Sequence, residues 1–292
     1  MHDQAIRQVM KNTAPLAETI TATPVGIGLA GSLRRVAARA AHTELYDAVP
    51  PSGDWVRCAQ ALADPEFFDR WRSRLGDWLQ AEYGHAPARS TAGYVLSWYA
   101  HVPASIAALL FHHERRVPRL HPGELSFRLG AARPHPDAIA LTGSTFACLP
   151  DDPAAGLPEA TVVPSERALA AVLRGRYLAH VRRFIGVFGP GVRFGRRTLW
   201  AAATDALDTA LWQAGLTSGD EGAGVADATL VLADRFAPFT SASTLRPLPG
   251  GSAGTGSGEQ AWTRRREGCC FHYLVEPGPA GVCDTCPRRH AP

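Results

Sequence analysis

Four cysteines crowd the last two dozen residues of this chain, a doublet at Cys269-Cys270 and a pair at Cys283 and Cys286, spaced C-C-x12-C-x2-C. A segment this short cannot fold on apolar burial alone, so whatever the thiols bind dictates its shape. Four thiols so placed can form a metal site, two disulfides or a redox dithiol. The chain opens Met-His-Asp-Gln-Ala-Ile-Arg-Gln, without the apolar run of a secretory leader. No stretch approaches the roughly 18 consecutive apolar residues of a membrane span. The expectation is a cytoplasmic protein with no transmembrane segment, whose thiols stay reduced. At 292 residues it can also bury a core without covalent staples. Metal is therefore favoured over disulfides.

The choice lies between zinc and iron–sulfur. Four-cysteine zinc sites pair two short C-x-x-C-like knuckles, and here only Cys283-Asp284-Thr285-Cys286 has that form. In an extended strand adjacent side chains point to opposite faces, so the doublet cannot grip one ion from a regular strand. Gly268 offers the freedom to bend just before it. Two sulfide-bridged irons span a wider target, and each needs only two thiolates. A doublet plus a C-x-x-C turn fits that target better. Between the halves, Phe271 to Val275 has strand character and Glu276-Pro277-Gly278-Pro279-Ala280-Gly281 has turn chemistry. This pattern predicts a hairpin that brings the two cysteine pairs together.

The run Arg264-Arg265-Arg266-Glu267-Gly268-Cys269-Cys270-Phe271-His272-Tyr273, closing on Cys283-Asp284-Thr285-Cys286-Pro287, resembles the C-terminal signature of the FhuF-type ferric siderophore reductases. Val162-Val163-Pro164-Ser165-Glu166 and Arg196-Arg197-Thr198-Leu199-Trp200 resemble the middle of that family. The resemblance implies a [2Fe-2S] cluster on Cys269, Cys270, Cys283 and Cys286. The family's usual gap between the pairs is ten residues, and two more are placed here in the Pro/Gly turn, where lengthening costs little. It further implies a body that binds the ferric chelate near the cluster and is similar to the C-terminal region of siderophore synthetases.

For the rest of the chain the patterns predict an α+β fold, predominantly helical, with the small cysteine hairpin at its end. Phe67, Phe68, Trp71, Leu75, Trp78 and Leu79 form a helical stripe over 66–83. Further helices are expected from Thr91 to Phe111, kinked or interrupted at Pro103, from Glu166 to a stop at Gly186 or at Gly189-Pro190-Gly191, over Trp200–Leu216 and over Ala226–Phe236. Strands are expected at Glu124–Leu129 and Asp137–Leu149, with a loop over Pro150–Pro158. The organisation is a body over 1–247, a Gly/Ser-rich linker over 248–260 and the cysteine segment over 261–292. The linker's G-x-G pattern lacks the strand–turn–helix context of a phosphate loop.

A net charge of +3 is too small for a nucleic-acid protein. Arginines nevertheless gather from 165 to 197, at Arg167, Arg174, Arg176, Arg182, Arg183, Arg193, Arg196 and Arg197. They read either as a solvated face or as a field for an anionic ligand or acidic donor protein. Arg264, Arg265 and Arg266 beside the doublet would stabilise a reduced, more negative cluster or, with Arg196 and Arg197, dock a substrate or donor. Cys58 and Cys148 read as buried apolar residues. His112-His113-Glu114 lacks the H-E-x-x-H spacing of zinc hydrolases and reads as a helix end. No G-x-S-x-G elbow is present.

The resemblance implies a one-electron ferric-siderophore reductase that acts on a hydroxamate or catecholate complex. It would draw electrons from a ferredoxin-like protein or a flavin reductase and use no side-chain acid, base or nucleophile. Two rivals are a zinc-binding adaptor and an iron–sulfur carrier or sensor without a chelate substrate.

Overall fold

A computed structural model describes residues 26–40, 43–248 and 261–290. The Pro/Gly/Ser stretch read as a linker lies outside the described residues, except Leu248. The first helix, α1 (Leu29–Ala37), precedes strands β1 (Glu44–Tyr46) and β2 (Trp55–Arg57) and a short α2 (Cys58–Ala63). Next come α3 (Phe67–Tyr83) and α4 (Ala88–Glu114), then five strands: β3 (Val117–Pro118), β4 (Leu125–Leu129), β5 (Pro136–Leu141), β6 (Phe146–Cys148) and β7 (Ala160–Val162). Helices α5 (Glu166–Phe188), α6 (Arg196–Ser218) and α7 (Glu221–Val231) follow, then the strand pair β8 (Leu245–Pro247) and β9 (Trp262–Arg264).

The α3 stripe folds as its spacing dictates. Phe68, Trp71, Leu75 and Leu79 are buried, and the helix stops at Gly84, which takes the left-handed conformation at φ 77°. Helix α4 is apolar all round, so the fold must surround it. Its length and mean hydropathy of 1.4 would suit a membrane span, yet 78% of that window is buried inside the protein. Pro103 lies within the helix without ending it, and His112 and His113 close its last turn. Ser165 caps α5 by accepting the Ala168 N–H at 3.3 Å. Helices α6 and α7 each begin ahead of their predicted starts, because apolar periodicity marks the buried stripe and not the polar first turn.

The predicted strand from Asp137 to Leu149 divides into two. β5 joins a four-stranded sheet in the order β1-β5-β4-β2, and β6 joins a three-stranded one in the order β3-β6-β7. β1 runs parallel to β5, while β4 is antiparallel to both β5 and β2. Between sheets and helices sits an aromatic core of Phe68, Trp71, Tyr99, Phe127, Phe184 and Phe188, with Tyr99 and Phe184 stacked at 4.1 Å. Cys58 and Cys148 are both fully buried, and burial pushes the Cys58 thiol up to about 12. His180 is 1% exposed; its Nδ1 donates to the Leu120 carbonyl at 2.8 Å, and burial pushes its pKa down to about 4.

Candidate metal centre

Two helices of the body seat the cysteine segment. On α6, Asp205 and Asp208 lie one turn apart and both are buried. Buried carboxylates need partners, and β9 supplies one. Arg264 is 1% exposed, with Nη2 at 2.5 Å from Asp205 and Nη1 at 3.3 Å from Asp208. Arg264 also donates to Thr209 at 2.7 Å. Asp205 then accepts the backbone N–H groups of Glu267 at 3.0 Å and Gly268 at 2.7 Å. Asp208 takes the Ser243 hydroxyl at 2.7 Å, fixing the approach to β8. A Cβ on Gly268 would lie 3.2 Å from the Ala202 nitrogen, so this glycine permits close approach to α6.

Helix α4 provides the second wall. Ser90 donates to the Phe271 carbonyl at 2.8 Å, and the Tyr94 hydroxyl meets His272 Nδ1 at 2.5 Å. Between them Gly93 leaves the room the segment needs: a Cβ there would stand 2.8 Å from the Phe271 ring and 3.0 Å from the Cys270 carbonyl oxygen. Phe271 stacks on Phe194 at 5.2 Å, with Arg89 over its face. The chain bends at Glu267–Gly268, just ahead of the doublet as expected, and turns again just after it at Phe271, in the left-handed region at φ 61°. The predicted hairpin is absent. Residues 271–282 coil through 3-10 turns at His272–Leu274 and Pro279–Gly281, because Phe271, Tyr94 and Ser90 hold the first turn against α4.

Two of the four thiols are in contact, and Cys269 and Cys286 lie within electrostatic reach of each other, Cys286 also of Cys283. Cys270 and Cys283 sulfurs are 3.8 Å apart, far beyond the roughly 2.05 Å of a disulfide. Two sulfurs on one tetrahedral metal with bonds of about 2.3 Å stand about 3.8 Å apart. The Cys270–Cys283 pair therefore fits thiolate coordination of one metal ion. Among the described residues, no three His, Cys, Asp or Glu side chains converge as they would around a single ion. Cys286 is 2% exposed, and its N–H donates to the Cys283 carbonyl at 3.0 Å, forming the C-x-x-C turn. Cys269 Sγ accepts the Phe271 N–H at 3.3 Å. Such N–H bonds stabilise thiolate charge.

Electrostatics favour the thiolate form at one position. The Cys283 thiol's hydrogen bond, with help from Arg266, brings the Cys270 pKa down to about 5, while Cys283 itself is held up by sharing that proton. Burial works against the charge of Arg266, but Asp205 and the thiols of Cys270, Cys283 and Cys269 raise its pKa above the usual value. Arg266 is thus the cation of the site, with its N–H bonded to the Thr285 carbonyl at 3.0 Å.

The basic triplet therefore splits. Arg264 is not a docking residue, because its guanidinium is sealed against Asp205 and Asp208. Arg266 faces the thiols, and Arg265 points outward, as alternation along an extended segment requires. Arg196 and Arg197 are exposed beside the segment, Arg197 pairing with Glu267 at 3.1 Å. Arg174 and Arg176 instead donate to the Val231 and Val117 carbonyls, holding helices and strands together.

Two features escaped the sequence reading. The Asp205/Asp208 pair could have been noticed as two carboxylates one turn apart in an otherwise Ala- and Leu-rich helix; Ser90, Gly93 and Tyr94 carried no signal. His112 bonds Asp227 at 2.7 Å and Ser218 at 3.0 Å, the connectivity of a hydrolytic triad. Ser218, however, gives its proton to the Gly215 carbonyl at 2.8 Å. The neighbouring Gly219 and Asp220 N–H groups are also spent on carbonyls, which leaves no oxyanion hole there. The set pins together the ends of α4 and α6 with α7.

A cavity of about 310 Å³ opens along α4, lined by Trp98, His101, Val102, Leu109, Ile139 and Ala210 among others. A second, of about 240 Å³, shares Trp98 and His101 and reaches Trp212, Arg266 and Thr285. Tyr94 stacks on Trp98 at 5.3 Å, so one face of α4 runs from the thiols to the cavity.

Residues 266–288 match the family model described as the FhuF 2Fe-2S C-terminal domain. The match takes in all four cysteines and stops short of the helical body. No curated protein and no solved structure matches the chain. With two thiols at coordination distance, a C-x-x-C turn and a cation beside them, the tail of this protein is similar to the FhuF 2Fe-2S C-terminal domain, and its cofactor is a [2Fe-2S] cluster.

Proposed function

We propose that the protein is a cytoplasmic ferric-siderophore reductase: it binds a ferric chelate in the α4 cleft and returns the iron as Fe(II). The observation that carries this reading is the single face of α4 that joins the thiol site, through Tyr94 and Trp98, to the cavity lined by Trp98 and His101. Cys269, Cys270, Cys283 and Cys286 would hold the cluster, which supplies one electron at a potential set by its surroundings.

The chain's own residues do the rest. Arg266, beside three of the thiols, offsets the extra negative charge of the reduced state. The Phe271 N–H on Cys269 acts in the same direction. Tyr94, Trp98 and Arg133, whose guanidinium lies 5.1 Å from the Trp98 ring centroid, form a packed wall between thiols and cavity. Burial lowers the His101 pKa to about 4, so at neutral pH this residue offers a chelate a neutral hydrogen-bonding group.

The substrate's chemistry needs nothing more. Ferric iron is hard and highly charged, and oxygen donors hold it tightly; ferrous iron, larger and less charged, leaves the same shell readily. The electron would come from a ferredoxin-like protein or a flavin reductase, and a cytoplasmic setting keeps the thiols free for the metal. The test is anaerobic: reduced holoprotein is mixed with a ferric hydroxamate or catecholate and a ferrous-specific dye. About one Fe(II) trapped per cluster reoxidised is expected. A protein that keeps its cluster but reduces neither chelate would be an electron carrier or sensor.

A further inference from the structure

A groove on the outer side of the cysteine segment is lined by Arg197, Arg246, Arg265 and Arg266, with Thr244, Glu267 and Pro287. It measures about 480 Å³ and continues through Arg197 into a neighbouring depression of about 400 Å³ that adds Arg196 and Arg235. Arg196, Arg235, Arg246 and Arg265 are exposed, and among the described residues none has an ion-pair partner. The acids nearby do little to cancel them: Glu267 is spent on Arg197, and Asp284 is paired with Arg289. Asp234, next to Arg235, is the other exposed carboxylate of that rim.

The groove's floor is Pro287, the residue after Cys286, and Arg265 donates to its carbonyl at 3.4 Å. The cleft proposed for the chelate touches the same wall from the other cavity, through Arg266 and Thr285. Strand alternation separates the two openings, with Arg264 turned inward onto α6 and Arg265 turned outward.

We infer that this arginine groove is the docking face for an acidic electron-donor protein, which delivers its electron past Pro287 and Cys286 while the α4 cleft stays free for the chelate. The occupant is a protein surface and not a small anion. The arginines are spread over two open depressions. Spread positive charge steers a large acidic partner and lets it leave after transfer. In the step itself the donor loses one electron and the cluster gains it; no bond forms or breaks and no proton moves. The inference rests on the reading of the tail as a working redox centre.

The test uses oxidised holoprotein and an acidic plant-type [2Fe-2S] ferredoxin as the probe, with affinity measured by titration calorimetry. Arg246→Glu and Arg265→Glu are each expected to weaken binding about tenfold at low salt, and Arg182→Glu, an exposed arginine of α5, to leave it unchanged. Wild-type affinity should fall steeply between low and high ionic strength, since the Debye length is only about 10 Å at 0.1 M. Photoreduction by neutral 5-deazariboflavin should proceed alike in all variants, showing intact clusters. The inference is overturned if the groove variants bind like Arg182→Glu, or if binding ignores salt. It is also overturned if the same substitutions abolish binding to phosphatidylglycerol vesicles and spare the ferredoxin. Ferredoxin binding lost in the groove variants, with no Fe(II) release from any chelate in wild type, would count against the reductase reading and leave the groove standing.

Discussion

The helical body and the cysteine tail are held by different forces. The body buries aromatic and aliphatic side chains in a continuous core around α4, with Tyr99 and Phe184 stacked and Phe68 packed edge-on and tilted against them at its centre. The tail places Phe271, Val275 and Cys286 out of water but has no strand between its cysteine pairs. Its order comes from Arg264 on two carboxylates and from a glycine-sized gap on α4, and a bound cluster would add thiolate coordination to these. Apolar burial is non-directional and tolerates small shifts, whereas ion pairs and thiolate coordination demand fixed geometry. A redox site gains from the second kind of support, because electron transfer needs a centre held at one place.

Cysteine substitution should separate the two regions most sharply. Cys283→Ser is expected to abolish the visible iron–sulfur absorbance, and Cys148→Ser to keep it, with far-UV circular dichroism showing the body helical in both. Retained colour in Cys283→Ser would break the ligand assignment. Next, Arg264→Ala leaves Asp205 and Asp208 buried without their cation, at a cost of about 3–5 kcal/mol. The measurement is limited proteolysis with iron analysis: the tail should become cleavable and lose iron while the body resists. A body that unfolds together with the tail would erase the distinction.

Gly93→Ala is smaller in effect. Its methyl must displace the Phe271 ring or the Cys270 carbonyl, an overpacking penalty of about 1–3 kcal/mol. Faster loss of cluster absorbance to a chelator, at unchanged Tm of the body, is the expected signature. The last test addresses the body alone. His180 is buried neutral with its pKa pushed down to about 4, so the unfolded chain binds more protons than the fold between that value and about 6.5. Stability should therefore fall on acidification, by about 2 kcal/mol from pH 7 to pH 5. His180→Gln should lessen the fall by that amount in urea titrations, while His101 and His113, also held down to about 4 by burial, keep their shares; an equal fall in the variant would assign the acid sensitivity elsewhere.

Much of the body was legible in advance. The α3 stripe from Phe67 to Leu79, the Ser165 start of α5 and its stop at Gly189 all follow from periodicity and capping, which are local. The division of Asp137–Leu149 between two sheets was not, since strand character does not say which neighbour a strand will pair with. In the site, the four cysteines stood out by spacing. Arg264 did not separate from Arg265, because three adjacent arginines look equally solvated until one finds Asp205.

The sequence by itself narrowed the chemistry of this protein: four thiols at C-C-x12-C-x2-C read as a metal-ligand set whatever the path of the chain between them, and the family match over that segment makes the cofactor a [2Fe-2S] cluster. Only the tertiary structure decided where that chemistry faces. It laid the tail across α4 and α6, turned Arg264 inward and Arg265 outward, and ran a helix face from the thiols to a cavity. Ligand identity is a property of residue type and spacing, but orientation depends on which buried charge meets which partner across the fold.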